Sequence, residues 1–296
     1  MSETVHVRIA LVLNPRAGSI SDPDALTDSI RDRCDELTVH AIDAAAEAAA
    51  TAPDRLIVAG GDGSLGTAFA AAAKADLPLG VIPAGTANDF ARALDLPLSI
   101  DEAVQLVTQP SPTLRTTWGG WIDDRPFVNV ASVGLAVDAA VHAEDFKARL
   151  GPAAYLVGAA RAGMVGDPVR ATVTFEGHDT IEGAVWQVLV GASGRFGGGS
   201  GLGEADPTRP SLTAAWVPAG SRFTLPFRAL GLRSRTIERQ SGVEWWHAEH
   251  FNVAAAHGDK PAAWNVDGER VEPRSKLVDF RPLGPVAVIV PPDAGA

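Results

Sequence analysis

Short apolar runs alternate with helix-like segments over the first hundred residues of the chain. Four of these runs have the length and character of strands: residues 7–13, 37–42, 55–59 and 79–82. Three segments between them have helical patterns: residues 22–34, 43–50 and 64–74. Ser99 and Glu102 have the spacing of a capping box and predict the start of a further helix. This alternation predicts β-α-β units around an open parallel sheet.

After Pro112 the pattern changes to β-branched and aromatic runs separated by glycine and proline. The clearest predicted strands are residues 170–175, 184–190, 212–217 and 286–290. Three segments in this part favour helices: residues 137–149, 153–164 and 223–232. The chain is therefore expected to contain an α/β domain over residues 1–112 and a mostly antiparallel β-rich domain over residues 113–296.

Composition fits two globular cores, because 46% of the 296 residues are apolar and 21% are charged. Cys34 is the only cysteine, so no disulfide can form within the chain, and a cytoplasmic location is the expectation. A net charge of -11 works against binding nucleic acid. Contact with a membrane would have to be local, and a homodimer is left open.

One stretch has the opposite charge. Residues 221–239 contain five arginines and a single acid, Glu238. Phe223, Leu225 and Phe227 lie in the same stretch, and Trp245 and Trp246 follow it. Two interpretations stay open: this segment rests on a lipid surface, or it is a solvated helix over the core.

The sharpest motif is an apolar strand that runs into Gly60-Gly61-Asp62-Gly63-Ser64 and then into a helix. Glycines let backbone N–H groups approach phosphate oxygens closely, which predicts a phosphate cradle. Gly61, Gly63 and Gly66 also match a dinucleotide-binding spacing, but the turn follows the third strand instead of the first. Asp62 would repel a bare pyrophosphate and suits Mg²⁺ bridging phosphate oxygens, so a metal-nucleotide is favoured. The alternative is a plain strand-to-helix turn with Asp62 as N-cap.

The same arrangement recurs one β-α unit later. Gly85 and Thr86 are expected to open a helix whose N–H groups could bind an anion, with Asp89 in its first turn. Because neighbouring strands of an open parallel sheet end at one crevice, Asp62 and Asp89 are expected to converge there. Asp89 could instead only complement the helix dipole.

A third segment, Asn14-Pro15-Arg16, follows the first strand, where Asn14 and Arg16 could reach nucleotide phosphates or ribose. The lysine-containing phosphate-binding loop GxxxxGK[ST] does not occur in the sequence.

These three motifs, in this order, resemble the catalytic domain of the diacylglycerol kinase family, close to the soluble bacterial lipid kinases. The likeness extends through residues 127–135, 197–199 and 266–269 and so spans most of the chain. The resemblance implies a nucleotide-binding α/β domain, a β-rich lipid-binding domain, ATP and Mg²⁺ as cofactors, and a membrane lipid as substrate. The expected reaction is transfer of the γ-phosphoryl of Mg-ATP to a lipid hydroxyl.

By position, the resemblance makes Asp62 and Asp89 catalytic acids that act through Mg²⁺, and Glu269 the candidate general base. The residues implied at the nucleotide are Asn14, Pro15, Arg16, Gly60, Gly61, Gly63, Ser64, Gly85 and Thr86. Ser64 stands where the family usually has threonine, which keeps the hydroxyl. Residues 209–214 lack the acids that form an accessory Mg²⁺ site in some members.

Two other functions stay open. An NAD kinase shares the Gly-Gly-Asp-Gly turn, although residues 85–89 argue against it. A catalytically silent lipid-binding or regulatory homologue is the other, because of the altered residues 209–214. The sequence does not identify the acceptor lipid.

Overall fold

A computed structural model describes residues 7–135, 167–175 and 180–292 of the chain. Its strands are β1 (Arg8–Leu13), β2 (Glu36–Ala41), β3 (Arg55–Gly60), β4 (Leu79–Pro83), β5 (Thr113–Ile122), β6 (Arg125–Phe127), β7 (Val130–Gly134), β8 (Val169–Phe175), β9 (Ile181–Gly191), β10 (Arg195–Phe196), β11 (Ser200–Gly201), β12 (Leu212–Pro218), β13 (Glu244–Ala248), β14 (Phe251–His257), β15 (Lys260–Pro261), β16 (Trp264–Val266), β17 (Glu269–Val271) and β18 (Leu277–Val290).

The α-helices are α1 (Pro23–Arg31), α2 (Ala45–Ala50), α3 (Asp62–Ala75), α4 (Asp89–Ala93), α5 (Ile100–Val107) and α6 (Leu225–Ser234). Short 3₁₀ helices cover Ile42–Ala44, Arg222–Thr224 and Ile237–Arg239. Among the described residues, no helix is long and apolar enough to cross a membrane.

The first compact unit comprises the residues up to Gly119 together with those from Leu283 onward. Its sheet has the order β2-β1-β3-β4, all parallel, and the end of β18 joins beside β4, where Val288 pairs with Leu79. β1, β3 and β4 are almost continuously apolar because they are buried. The prediction of an α/β unit with an open parallel sheet is confirmed.

The helix ends follow local sequence in most places. Asp22 is the N-cap of α1, and its side chain accepts hydrogen bonds from the N–H groups of Asp24 and Ala25. Ser99 is the N-cap of α5 as expected, but its side chain makes no capping hydrogen bond. The predicted capping box at Ser99 and Glu102 is therefore wrong in its bonding, although the helix begins at the expected residue.

Arg55 gives a test of this unit's stability. It is only 5% exposed and donates hydrogen bonds to the carbonyl oxygens of Val107 (2.9 Å) and Gln109 (2.8 Å) at the end of α5. Arg55→Leu leaves both acceptors without this donor and is expected to lower the free energy of unfolding by about 2–3 kcal/mol in urea denaturation. Arg8→Leu, which breaks the exposed ion pair with Asp54, is the control and should change stability far less. Equal losses in the two variants would contradict the assigned role of Arg55.

The second compact unit runs from Gly120 to Pro282. Its main sheet has the order β17-β16-β7-β9-β8-β14-β18, with antiparallel pairing, and β12 and β13 extend from β9. Aromatic side chains fill its core, where the rings of Phe251 and Phe280 stack with their centroids 5.2 Å apart. The prediction of a mostly antiparallel β-rich domain with few helices is confirmed.

The unit boundaries differ from a division of the chain into residues 1–112 and 113–296. β18 contributes its first residues to the second unit and its last residues to the first, so the chain returns to the parallel sheet. The helix predicted over residues 223–232 is present as a 3₁₀ turn followed by α6. The helices predicted over residues 137–149 and 153–164 lie outside the described residues.

Candidate functional site

Three loops meet at the carboxyl edge of the parallel sheet in the first unit. β1 pairs with β3 so that Leu13 lies beside Ala59, and β3 pairs with β4 so that Gly60 lies beside Pro83. The loops that follow these strands therefore begin at the same level. They contain all the motif residues that the sequence placed in the N-terminal domain, and parallel strands present ligand-binding loops at this edge.

Asn14 joins the first loop to the second. Its backbone N–H donates to the carbonyl oxygen of Ala59 at 3.0 Å, and its side-chain amide donates to the Ser64 hydroxyl at 3.2 Å. The side-chain oxygen of Asn14 accepts a hydrogen bond from the backbone N–H of Arg16 at 3.1 Å. Pro15 and Arg16 are exposed, so this loop presents a guanidinium to solvent while Asn14 fixes its base.

Two glycines bring the second and third loops into backbone contact. A Cβ atom added to Gly85 would lie 2.6 Å from the Gly61 Cα, and one added to Gly61 would lie 3.0 Å from the Gly85 Cα. Any side chain at Gly85 would therefore have to push the other loop away. The sequence assigned these glycines to phosphate contact, and the structure adds a packing requirement that the sequence did not reveal.

Asp62 links the same two loops through its carboxylate. It is the first residue of α3, and Gly63 and Ser64 follow it in the first turn. One carboxylate oxygen accepts the backbone N–H of Asp89 and the other accepts that of Phe90, both at 3.1 Å. Asp62 thus satisfies N–H groups at the start of α4, 27 residues along the chain. The predicted meeting of Asp62 with the Asp89 segment is present.

The third loop differs from the prediction in one respect. Gly85 and Thr86 do not open a helix, because α4 begins at Asp89 and is only five residues long. Asn88 precedes it in a left-handed conformation (φ 51°), and its side chain bonds both the N–H (2.8 Å) and the carbonyl (2.9 Å) of Gly85. The expectation of a helix N-terminus at Gly85 and Thr86 is wrong, because Asn88 closes these residues into a turn.

Asp89 is only 3% exposed. Charged residues of this type are seldom buried without partners. Two carboxylates on adjoining loops, completed by phosphate oxygens and water, are a donor set that Mg²⁺ takes in nucleotide sites. Over residues 7–135, 167–175 and 180–292, no group of three or more His, Cys, Asp or Glu side chains could bind a metal ion. Asp62 and Asp89 supply two carboxylates at this edge, and a Mg²⁺ bound here would take its remaining oxygen ligands from a nucleotide and water.

Glu269 lies in the second unit, at the start of β17. Val266 pairs with Glu269, and Asp267 (φ 47°) and Gly268 (φ 91°) form the two-residue turn between β16 and β17. The Glu269 carboxylate is about half exposed and makes an ion pair with Arg125. These contacts are those of a surface hairpin, and the assigned role as general base stays a prediction.

Asp267 is the residue of this motif that sequence reasoning missed. Its carboxylate accepts backbone N–H groups from Val128 (2.7 Å), Asn129 (2.9 Å) and Val130 (3.0 Å). Asn129 is buried and accepts a hydrogen bond from the Ser193 hydroxyl at 2.6 Å. Asp267 thus ties the hairpin to the start of β7. The Asp-Gly pair gave a signal for the turn, but none for the three distant donors.

The stretch that lacks the accessory acids carries a local ion pair. Arg209 pairs with Asp206 at 3.2 Å, and Asp206 also accepts from the backbone and hydroxyl of Thr208. Burial acts to raise the pKa of Asp206, but the Thr208 hydrogen bonds and the Arg209 charge outweigh it and lower the pKa below its usual range. The carboxylate is therefore ionised and already paired.

Comparisons with known proteins agree with this fold. The diacylglycerol kinase catalytic domain model matches residues 8–114. A "Probable lipid kinase YegS-like" protein of Xanthomonas oryzae pv. oryzae (strain MAFF 311018) is 35% identical over 290 residues, which are 88% of this chain and 88% of that protein. The sequence resemblance to lipid kinases of this family is thus confirmed.

Solved structures share the fold at lower identity. A diacylglycerol kinase from Bacillus anthracis str. Sterne is 21% identical with a TM-score of 0.75, covering 98% of this chain and 99% of that one. A yeast NADH kinase complexed with NADH is 9% identical with a TM-score of 0.53, covering 98% of this chain and 85% of that one. The Xanthomonas oryzae relative is 35% identical and is matched over 88% of its length. The chain therefore belongs to the diacylglycerol kinase catalytic domain family of kinase enzymes, among the YegS-like lipid kinases.

Proposed function

We propose that this chain transfers the γ-phosphoryl group of Mg-ATP to a hydroxyl of a membrane lipid, with diacylglycerol as the first candidate. The observation that carries the proposal is the meeting of three loops at one sheet edge. There Asn14 bonds Ser64, Gly61 touches Gly85, and Asp62 bonds the backbone of Asp89. In a chain of the lipid kinase family, this edge is where a nucleotide would bind.

The loop residues have two tasks in this reaction. Backbone N–H groups of Gly60, Gly61 and Gly63 can approach phosphate oxygens, and the Ser64 hydroxyl stands beside them, oriented by Asn14. Pro15, Arg16, Gly85 and Thr86 would complete the surroundings of the nucleotide, with Arg16 supplying positive charge. Catalysis of phosphoryl transfer consists mainly of positioning and charge neutralisation, so rigid loops of this kind suit it.

Asp62 and Asp89 would bind Mg²⁺, which when present supplies positive charge to the phosphate oxygens. Asp62 can do this while bonded to the start of α4, because each carboxylate oxygen has two lone pairs. Glu269 would accept the proton that the lipid hydroxyl loses as its oxygen attacks phosphorus.

The proposal is tested with purified protein, γ-labelled ATP and vesicles that each contain one lipid hydroxyl class: diacylglycerol, a sphingoid base, phosphatidylglycerol or a polyisoprenoid. We expect labelled product with one class, dependent on Mg²⁺ and lost on addition of EDTA. NAD is included as a further acceptor because the fold is shared with a yeast NADH kinase. Labelled NADP instead of lipid product would contradict the lipid kinase proposal. ATP binding without transfer to any acceptor would favour the catalytically silent lipid-binding or regulatory homologue, which the altered residues 209–214 suggested.

Gly61→Val tests the contact between the second and third loops. Gly61 has an ordinary extended backbone (φ -92°), so the valine is opposed by space alone, with its Cβ 3.0 Å from Gly85 Cα. We expect a loss of about 1–3 kcal/mol in the free energy of unfolding and at least about a tenfold weaker Kd for Mg-ATP by calorimetry. Gly18→Val is the matched control, because nothing lies within 4 Å of its added Cβ. Lower stability with unchanged ATP affinity would assign Gly61 to packing only.

A further inference from the structure

Helix α6 and the 3₁₀ turn before it carry three large apolar side chains on their solvent side. The exposed fractions are 89% for Phe223, 69% for Phe227 and 64% for Leu230, and no other large hydrophobic side chain of the described residues exceeds 54%. Spacings of four and three residues place neighbouring members of this set on one side of a helix. Phe223, Phe227 and Leu230 are called the α6 face below. A clustered apolar surface of this kind marks an interaction site more often than scattered exposed residues do.

Contacts on the opposite side of α6 hold the helix so that the α6 face stays exposed. Leu225 and Leu232 are half-buried and pack against the core cluster under α6. Arg228 donates hydrogen bonds to the side chain of Gln240 (3.1 Å) and to the carbonyl of Ser241 (2.8 Å). The helix is thus held by apolar contacts beneath it and by a polar crosslink, so Phe227 cannot turn inward without breaking both.

The tryptophans expected beside this segment do not belong to the surface. Trp245 and Trp246 lie on β13 and are half-buried. Trp246 packs against Phe175 with ring centroids 5.1 Å apart, and Trp245 packs against the core cluster that Leu225 also contacts. The surface is therefore narrower than the sequence indicated.

Positive charge is concentrated in the stretch of chain that carries the α6 face, although Arg222 also pairs with the exposed Asp167 at 3.5 Å. Four exposed arginines lie in residues 221–239: Arg222, Arg233, Arg235 and Arg239. The one acid of this stretch, Glu238, is buried. The whole chain has a net charge of -11, so this local charge is opposite to that of the molecule. Guanidinium groups bind phosphate oxygens in a planar, paired geometry.

We propose that the α6 face docks on an anionic phospholipid surface, with Phe223, Phe227 and Leu230 inserted at the headgroup boundary and the arginines on phosphates. The proposal rests on the lipid kinase function above, since it names the surface that would bring the enzyme to its substrate. A second copy of the chain fits less well. A twofold contact through the same face would place these arginines near their own copies, and like charges oppose such an interface.

The test measures partition onto vesicles by flotation, without nucleotide, using phosphatidylcholine vesicles with and without phosphatidylglycerol. We expect F223S/F227S to lower the partition coefficient on anionic vesicles by about tenfold or more, since two aromatic side chains are lost from the interface. R233Q/R239Q should weaken binding to anionic vesicles and reduce its dependence on salt. L277S, which removes the next most exposed large hydrophobic side chain, is the matched control and should bind like wild type.

Three results would overturn the docking proposal. One is equal partition of F223S/F227S and wild type. Another is a wild-type dimer in sedimentation equilibrium that this variant dissociates, which would make the α6 face an interface between copies. The third comes from a polarity-sensitive fluorescent label attached to F227C in a C34S background. If the label is already shielded from water before any vesicle is added, the α6 face is not free to dock.

Kinase activity on a short-chain, monomeric diacylglycerol separates the docking proposal from the proposed function. F223S/F227S should phosphorylate this dissolved acceptor like wild type while losing activity on vesicles. If wild type binds vesicles through the α6 face but phosphorylates no lipid, the docking proposal stands and the proposed function fails. If the variant loses activity equally on both acceptors, the face has a role in the reaction itself, and docking does not explain it.

Discussion

Asp62→Asn is expected to lower kcat for lipid phosphorylation by about a thousandfold. A neutral amide is a poor ligand for Mg²⁺, and the substitution removes a negative charge from the proposed nucleotide site. The Mg²⁺ concentration that gives half-maximal rate should rise as well. Steady-state assays at several Mg²⁺ concentrations, with the acceptor lipid found in the panel above, measure both effects.

A part of the Asp62→Asn effect would be structural. The two carboxylate oxygens accept N–H groups from Asp89 and Phe90, and an amide keeps only one acceptor oxygen. The variant should therefore lose about 1 kcal/mol in the free energy of unfolding while keeping its fold. Circular dichroism and urea denaturation separate this loss from the loss of activity.

Asp22→Asn is the matched control for the same chemical change. Asp22 also accepts two backbone N–H groups at a helix start, from Asp24 (3.1 Å) and Ala25 (3.0 Å), but it caps α1. One oxygen receives both bonds, so an asparagine can keep them. We expect Asp22→Asn to retain wild-type kcat and Mg²⁺ dependence. A purified Asp62→Asn enzyme with near-normal activity would remove Asp62 from the assigned role and leave it as a link between loops.

The elements of the parallel sheet could be predicted because their signals are local. β1 and β3 are apolar along almost their whole length, as expected for strands covered on both faces, and their flanking helices have clear starts such as Asp22. The positions of the motif loops follow from this order, since successive parallel strands end at one edge. The approach of Asp62 to the residues at the start of α4 was therefore accessible to sequence reasoning.

The start of α4 was not accessible, because distant contacts decide it. Residues 85–88 could equally begin a helix by their local pattern, but Asn88 bonds Gly85 and adopts a left-handed conformation. The N–H groups at the start of α4 are then bonded by Asp62, which lies 27 residues earlier. The three donors to Asp267 are more than 130 residues distant from it, and no local pattern encodes them. Such contacts depend on tertiary packing, which overrides local preference.

Glu269→Gln is expected to lower kcat by about 10²- to 10⁴-fold with the affinity for ATP nearly unchanged. The attacking lipid hydroxyl must lose its proton during transfer, and a positioned carboxylate contributes an effect of this size to such a step. Glutamine keeps the size and the hydrogen bonding of the side chain but cannot accept the proton. The split between kcat and nucleotide affinity follows because the residues proposed to bind the nucleotide lie in the first unit, whereas Glu269 lies in the second.

The contacts of Glu269 supply a competing explanation. It follows the Asp267-Gly268 turn, is about half exposed and pairs with Arg125, as a residue that only stabilises a surface hairpin would. An exposed ion pair contributes little to stability, so this explanation predicts almost no effect of Glu269→Gln on either kcat or unfolding. The two explanations therefore differ by at least about a hundredfold in kcat.

Two variants complete the experiment. Arg125→Gln breaks the same ion pair from the other side and keeps the carboxylate, so it should retain most of the wild-type kcat if Glu269 is the base. Glu272→Gln makes the same substitution nearby, where the carboxylate pairs with Arg270, and should behave like wild type. Single-turnover measurements with saturating Mg-ATP report the chemical step directly, and a base would make that step of Glu269→Gln slow while binding stays normal. Wild-type kcat in Glu269→Gln on its best lipid would remove Glu269 from the reaction and leave it as the partner of Arg125.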